Sequence, residues 1–315
     1  GKPLMPVPVL RWSRGQRLDQ TLLDLQAPEY RRILDHATGA YAVMVTSGDV
    51  LLRFGRPLPP FPRVDVLGLG MPVAPEQASP FGVFFCPRGR PGALAFFLQK
   101  PPADRIRELA RDHAFWVDTG MWLLSERAVE VLLRKTGVEA VRSDGSGTTP
   151  RFYELYAGLG LSLGERPAEP DPEIGGLTSA VVPLPEPEFY HLGTSRQLVE
   201  SMSLLQNRYA GEGEGSVVAT WRHPDQFILN SRFAPVRGRE THHTLWVENS
   251  VVPAGWELSC RHVLTNVPEN DWRLRLEAGV CLDFVPVGEA DFAIRAYGME
   301  DAFRGTVGAG DAGWL

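Results

Sequence analysis

Trp246, Val252, Leu258 and Leu264 recur at intervals of six residues, with the turn-forming residues Asn249, Pro253, Ala254 and Gly255 between them. Few folds accept that spacing. A strand returns to the same face every second residue and an α-helix after about 3.6, whereas six is the period of a parallel β-helix built from short strands on flat faces. The alternative is a β-sandwich whose apolar residues happen to fall six apart. The β-helix stands ahead of it, with a structural role as a rigid lid, spacer or oligomer surface.

The chain upstream follows a different rhythm. Leu18, Leu22, Leu25, Ile33 and Leu34 sit at mostly helical spacing, and Tyr41 to Thr46 is a β-branched run that ends in Ser47-Gly48-Asp49. Further strands are expected over 64–69, 82–86, 93–99, 115–124 and 181–184. Between them, 102–113 reads as a helix with Ile106, Leu109 and Ala110 on one face, and Ser125 caps another that runs to Lys135. Thr194-Ser195 opens a last helix, with Leu198, Met202 and Leu205 on one face, before the Gly/Glu stretch 211–215. Alternating strands and helices predict an α/β sheet. The expected division is therefore an α/β domain over 1–210 and a β-rich domain over 211–315.

With 43% hydrophobic and 22% charged residues, the 315-residue chain buries a substantial core. A net charge of -6 and a pI near 5.7 argue against nucleic acid as a partner. Cys86, Cys260 and Cys281 are too few and too scattered for a disulfide framework or a four-ligand zinc site, which fits a reducing cytoplasm. No apolar run approaches the length of a membrane span, and no signal-peptide pattern opens the sequence.

Three residues bear directly on chemistry. Asp49 closes a strand at the carboxyl edge of an α/β sheet, where ligands bind and where a carboxylate holds a hard cation such as Mg²⁺. Lys2 and Lys100 each precede a proline at a strand or loop end, where two cations could clamp phosphates. Taken singly, Ser47-Gly48-Asp49 is more often a turn that caps its own backbone, and a lysine is more often a solvated surface charge.

Longer stretches carry more information. Lys2 to Gln20 with Pro6 to Gln16 inside it, Ser47 to Val50, Gly82-Val83-Phe84, Leu98 to Pro101, Asp118 to Ser125, Phe189 to Ser195 and above all Arg261 to Trp272 with Ala278 to Cys281 follow one another in order. Together they resemble the GDP-L-fucose pyrophosphorylase domain of the bifunctional fucokinase enzymes. The resemblance implies a Rossmann-like nucleotidyltransferase sheet followed by a left-handed parallel β-helix. It also implies formation of GDP-L-fucose and pyrophosphate from GTP and L-fucose 1-phosphate, with a fused L-fucokinase domain and a possible homo-oligomer.

Residue roles follow from the same resemblance. Asp49 is expected to hold Mg²⁺, Lys2 to contact the triphosphate and Lys100 the sugar phosphate. Gly82, Asp118, His191, Gly193 and Thr194 are expected around the sugar. His191 stands where many relatives carry a second metal-binding Asp or Asn, which puts a two-metal arrangement in doubt. The family's glycine-rich loop is expected upstream of Gly1, so this stretch taken alone is expected to be inactive. Two alternatives stay open: a transferase for another sugar or base, and a non-catalytic scaffold beside a kinase. Val267 to Trp272 is read as a structured corner in preference to a catalytic loop.

Overall fold

The computed structural model describes residues 22–37, 39–137, 151–211, 225–238, 240–287 and 291–301. They divide into two compact bodies, one of the described parts of Gln26–Gly48 and Leu52–Phe189, the other of the described parts of Gly1–Leu25, Asp49–Leu51 and Tyr190–Leu315.

In chain order the elements are α1 (Leu22–His36), β1 (Val43–Thr46), β2 (Val50–Arg53), β3 (Val66–Met71), α2 (Pro75–Ala78), β4 (Gly82–Pro87) and β5 (Phe96–Gln99). Then come α3 (Ala103–Leu109), β6 (His113–Leu124), α4 (Glu126–Thr136), β7 (Ser179–Pro183), β8 (Glu188–His191) and α5 (Ser195–Gly211). The α/β alternation read from the sequence is borne out, and two short strands, β2 and β8, were not foreseen. Helix α4 shows why these residues form what they form. The Ser125 hydroxyl accepts from the Ala128 amide at its start, Ala128 and Val131 face the core, and Gly137 closes it at φ 72°.

The sheet of the first body runs β5-β4-β6-β3-β7, with β1 also pairing to β6. Only the β3–β7 pair is parallel; the other pairs are antiparallel. Both faces are covered, which is why alternate residues of β4 serve different cores. Phe84 packs with Phe97, Trp122 and Leu159 on one side, while Val83 and Phe85 pack with Met71, Ile106 and Val117 on the other. Asp65 ties three element starts together, accepting from the Ser125 hydroxyl at 2.9 Å and the Thr178 amide at 2.8 Å, with Arg127 at 3.2 Å. Burial works to raise its pKa, but these donors outweigh it and hold the carboxyl below its usual value.

The second body is a parallel β-solenoid of about three turns. Its strands are β9 (Gln226–Leu229), β10 (Arg232–Phe233), β11 (Leu245–Glu248), β12 (Val251–Val252), β13 (Glu257–Leu258), β14 (His262–Thr265), β15 (Arg275–Leu276), β16 (Val280–Val287) and β17 (Asp291–Gly298). One face stacks β9, β11, β14 and β16, another β10 on β12, and a third β13 on β15, all parallel. Leu264 pairs with Leu282, 18 residues on, so a coil holds three six-residue faces. Strand β17 closes the stack antiparallel to β16.

Val252, Leu258 and Leu264 pack with Val247, Trp256, Leu282 and Phe284 in the coil interior. Trp246 does not join them. Leu245 pairs with His262, only 17 residues on, and this shortened coil puts Val247 in register with Leu264. Trp246, on the opposite side of β11, packs instead with Phe227, Val263, Cys281 and the apolar face of α5, namely Leu198, Val199, Met202 and Leu205.

The corners explain the turn residues. Asn230, Asn249 and Asn266 follow three stacked strands and all adopt left-handed backbone, with φ of 46°, 49° and 58°. Asparagine tolerates that region because its short amide bonds locally. Asn230 Nδ2 also donates to Asn249 Oδ1 at 2.7 Å. The next position carries Ser231 and Ser250, whose hydroxyls accept from the Ser250 and Val267 amides. Further on, Asn270 Nδ2 donates to the Val251 and Pro268 carbonyls and its Oδ1 accepts from Trp256 Nε1. Trp272 stacks on Phe284 at 5.7 Å between centroids. The stretch 267–272 is thus a structured corner.

The left-handed corner gives a direct test. Replacing Asn249 by valine puts a β-branched residue where φ is positive and should cost roughly 1–2 kcal/mol. Asn249→Gly, free of that strain, should retain more stability in urea unfolding. Equal losses would mean that the backbone conformation is not what the position requires.

Candidate active site

In the first body, cross-strand register gathers the expected residues into one row. Gly70 of β3 pairs with Pro183 of β7 on one side and with Asp118 of β6 on the other. The β4–β6 ladder ends at the Val83–Val117 pair, one residue short of Gly82 and Asp118, and Gly82 pairs with Gln99 of β5. This row marks the carboxyl ends of the parallel strands β3 and β7, the edge where open α/β sheets bind ligands.

Lys100 follows immediately. Its amide donates to the Phe81 carbonyl at 3.0 Å, its side chain is exposed, and among the described residues it makes no ion pair. Its backbone sits at φ 51° although it precedes Pro101. A lysine gains nothing intrinsic from that conformation, and strain of this kind concentrates at functional sites.

Gly82 has a packing reason to be glycine, since a Cβ there would lie 2.4 Å from the Phe97 ring. Asp118 is fully engaged at Oδ1, which accepts from the Gly120 amide at 2.9 Å and from Trp122 Nε1 at 3.0 Å. Burial is the larger influence on this carboxyl and pushes its pKa up to about 7, against the pull of those two donors. Gly120 adopts φ 74°, and its carbonyl accepts from the Ser47 amide at 2.8 Å. The stretches Ser47-Gly48 and Asp118 to Met121, far apart in sequence, therefore meet.

In the second body, Asp49, His191, Gly193 and Thr194 come together. The Leu192 amide donates to the Asp49 carbonyl at 2.8 Å, and His191 Nε2 lies 3.7 Å from Asp49 Oδ2. A Cβ on Gly193 would fall 2.3 Å from His191 Cε1, so this glycine is what lets the imidazole lie flat against the backbone. Thr194 caps α5: its hydroxyl accepts from the Gln197 amide, and Gln197 Oε1 accepts from the Thr194 amide, both at 3.2 Å. That same Oε1 is 3.0 Å from His191 Nδ1. Gln197 was not among the residues expected from sequence, although Thr194-x-x-Gln197 is a readable capping pattern. Lys2 lies outside the described residues. No described helix is long and apolar enough to cross a membrane.

No family model matches the sequence. The fold is similar to the crystal structure of a mannose-1-phosphate geranyltransferase from Thermus thermophilus, with TM-score 0.38 and 14% identity over 89% of this chain and 70% of that one. A likeness that distant carries no weight for function. Much nearer is the L-fucokinase/L-fucose-1-P guanylyltransferase of Bacteroides fragilis, 41% identical over 306 residues. The match spans 97% of this chain and 31% of that protein, so the resemblance carried by the separate motifs extends over nearly the whole chain to one portion of a much longer relative.

Proposed function

We propose that the chain is a nucleotidyltransferase that forms GDP-L-fucose and pyrophosphate from GTP and β-L-fucose 1-phosphate. In this reading 1–210 carry the reaction and 211–315 are structural. Its main support is the 41% identity, over 97% of the chain, to a protein named for guanylyl transfer to fucose 1-phosphate. The same name supports a fused L-fucokinase as partner.

A phosphate oxygen of the sugar phosphate attacks the α-phosphorus of GTP, and the bond from that phosphorus to the departing pyrophosphate breaks. The nucleophile arrives ionised, so no protein base is needed, and the protein's work is alignment and charge neutralisation. Lys100, exposed at the sheet edge, is suited to meet the sugar phosphate, and Lys2 is assigned to the triphosphate. Gly82, Asp118, Gly193 and Thr194 each have a structural duty, so contact with the sugar rests mainly on His191.

Asp49 is the candidate Mg²⁺ ligand. Among the described residues no group of three or more His, Cys, Asp or Glu could cage a metal ion. Mg²⁺ in phosphoryl-transfer sites is held by one or two carboxylates together with substrate phosphates, so one carboxylate beside an imidazole fits an ion shared with GTP. Bound there, the ion would neutralise phosphate charge at the reacting centre.

Pyrophosphate release from GTP and fucose 1-phosphate with Mg²⁺, with UTP and glucose 1-phosphate as controls, tests the reaction directly. Asp49→Ala should lower kcat roughly 10²–10³-fold with the fold intact, and unchanged turnover would remove Asp49 from the mechanism. Lys100→Met should raise KM for fucose 1-phosphate about 10–100-fold, as expected for a charged hydrogen bond worth about 1.5–3 kcal/mol; a matching rise for GTP would refute the assignment.

Asp118 provides a test that needs no substrate. Its folded pKa lies above its unfolded value, so its contribution to stability is full below the unfolded pKa near 3.8 and declines as pH rises through about 7. Asp118→Asn keeps the acceptor oxygen and removes the ionisation, so this decline should vanish in the variant. Parallel pH profiles for the two proteins would show that Asp118 does not titrate in that window.

A further inference from the structure

We propose that strand β17 is a dimerisation edge, which pairs antiparallel with the same strand of a second copy of this chain. The strand ends its sheet, with β16 on one side and no described strand on the other. Its eight residues run in unbroken register and contain neither proline nor lysine, so they lack the devices by which natural edges avoid further pairing. The sheet of the first body is protected differently, by loop backbone. There the Arg166 amide donates to the Ala95 carbonyl beside β5, and the Val181 amide of β7 donates to the Gly92 carbonyl.

Alternation decides which groups are open. The Met299 amide donates inward to the Gly279 carbonyl, and the Gly298 amide outward to Asp301 Oδ2. Counting back in twos, Phe292, Ile294 and Ala296 turn their amides and carbonyls outward, and these have no partner among the described residues. The other side of the hairpin is blocked. Strand β14 pairs with β16 only as far as Thr265–Asp283, and beyond that point Pro286 has no amide to offer. Residues 284–287 and 291–294 thus project as a two-stranded ribbon, a form that is marginal alone. Val285, Val287 and Phe292 on this ribbon are 43%, 51% and 45% exposed.

Charge complementarity selects a second copy as the occupant. With a two-fold axis at Ala293, the outward groups of Phe292 meet those of Ile294, and Asp291 of each copy stands opposite Arg295 of the other. Arg295 is already bonded to Asp283 at 2.7 Å, on the same face of the sheet, which holds it in place for a second carboxylate. Opposite charges in facing positions favour a pairing, and any other register loses both ion pairs. The paired stretch is short, so the dissociation constant is expected to be roughly micromolar.

Sedimentation of the intact chain over a range of concentrations should show a monomer–dimer equilibrium. Asp291→Lys and Arg295→Glu each set like charges opposite one another and should each raise the dissociation constant about tenfold. An equimolar mixture of the two variants restores both ion pairs in the mixed dimer and should associate as the unmodified protein does. Hydrogen exchange on the unmodified protein needs no substitution: the amides of Phe292 and Ile294 should gain protection as concentration rises. A protein that stays monomeric well above the micromolar range, or edge amides protected equally at all concentrations, would overturn the proposal. So would a dimer that neither substitution weakens, or folded variants whose mixture remains monomeric.

Discussion

A single buried carboxylate holds the longest strand together where its partners change. Strand β6 pairs with β4 through His113 to Val117 and with β1 through Met121 to Leu124. Between those ladders lie Asp118, Thr119 and Gly120, whose polar groups lose regular strand partners on that side. Asp118 Oδ1 takes the Gly120 amide and the Trp122 indole, and the Thr119 hydroxyl donates to the Leu69 carbonyl at 2.8 Å. The left-handed turn at Gly120 then offers its carbonyl to Ser47. An unsatisfied buried polar group costs about 1–3 kcal/mol, so this cluster is a condition for β1 and β4 to share one strand.

The solenoid meets a different constraint, because its strands are buried on both sides. In β11, Val247 faces the coil interior and Trp246 faces α5, so strand residues on both sides are apolar and simple alternation disappears. What remains readable are the corners, where left-handed backbone selects Asn, and the ladder of serine hydroxyls beside them. Coils of unequal length preserve the stacking of these corners while blurring the period that announces them.

That contrast sets how much the sequence discloses. Helix α4 is legible residue by residue, since Ser125, the apolar Ala128 and Val131, and Gly137 each act within one turn of their neighbours. Strand β8 is not, because Glu188-Phe189-Tyr190-His191 has no alternation and its reason for being extended lies in β2, more than a hundred residues earlier. The six-residue spacing led to the right architecture although Trp246 was counted on the wrong side. At the candidate site, resemblance named the residues but not the causes. Gly82 and Gly193 are glycine because Phe97 and His191 need the space, and neither ring stands out in the sequence as the neighbour that imposes this.

His191 also bears on the charge of the candidate metal position. A second carboxylate beside Asp49 would give the pair two negative charges and a strong pull on a free divalent cation. With an imidazole in that place the described residues supply one carboxylate, and a single carboxylate is a weak site for an ion as strongly hydrated as Mg²⁺. Within the proposed reaction, the cation is then best bound when it arrives already chelated by the nucleotide triphosphate, whose charge supplies what the protein lacks.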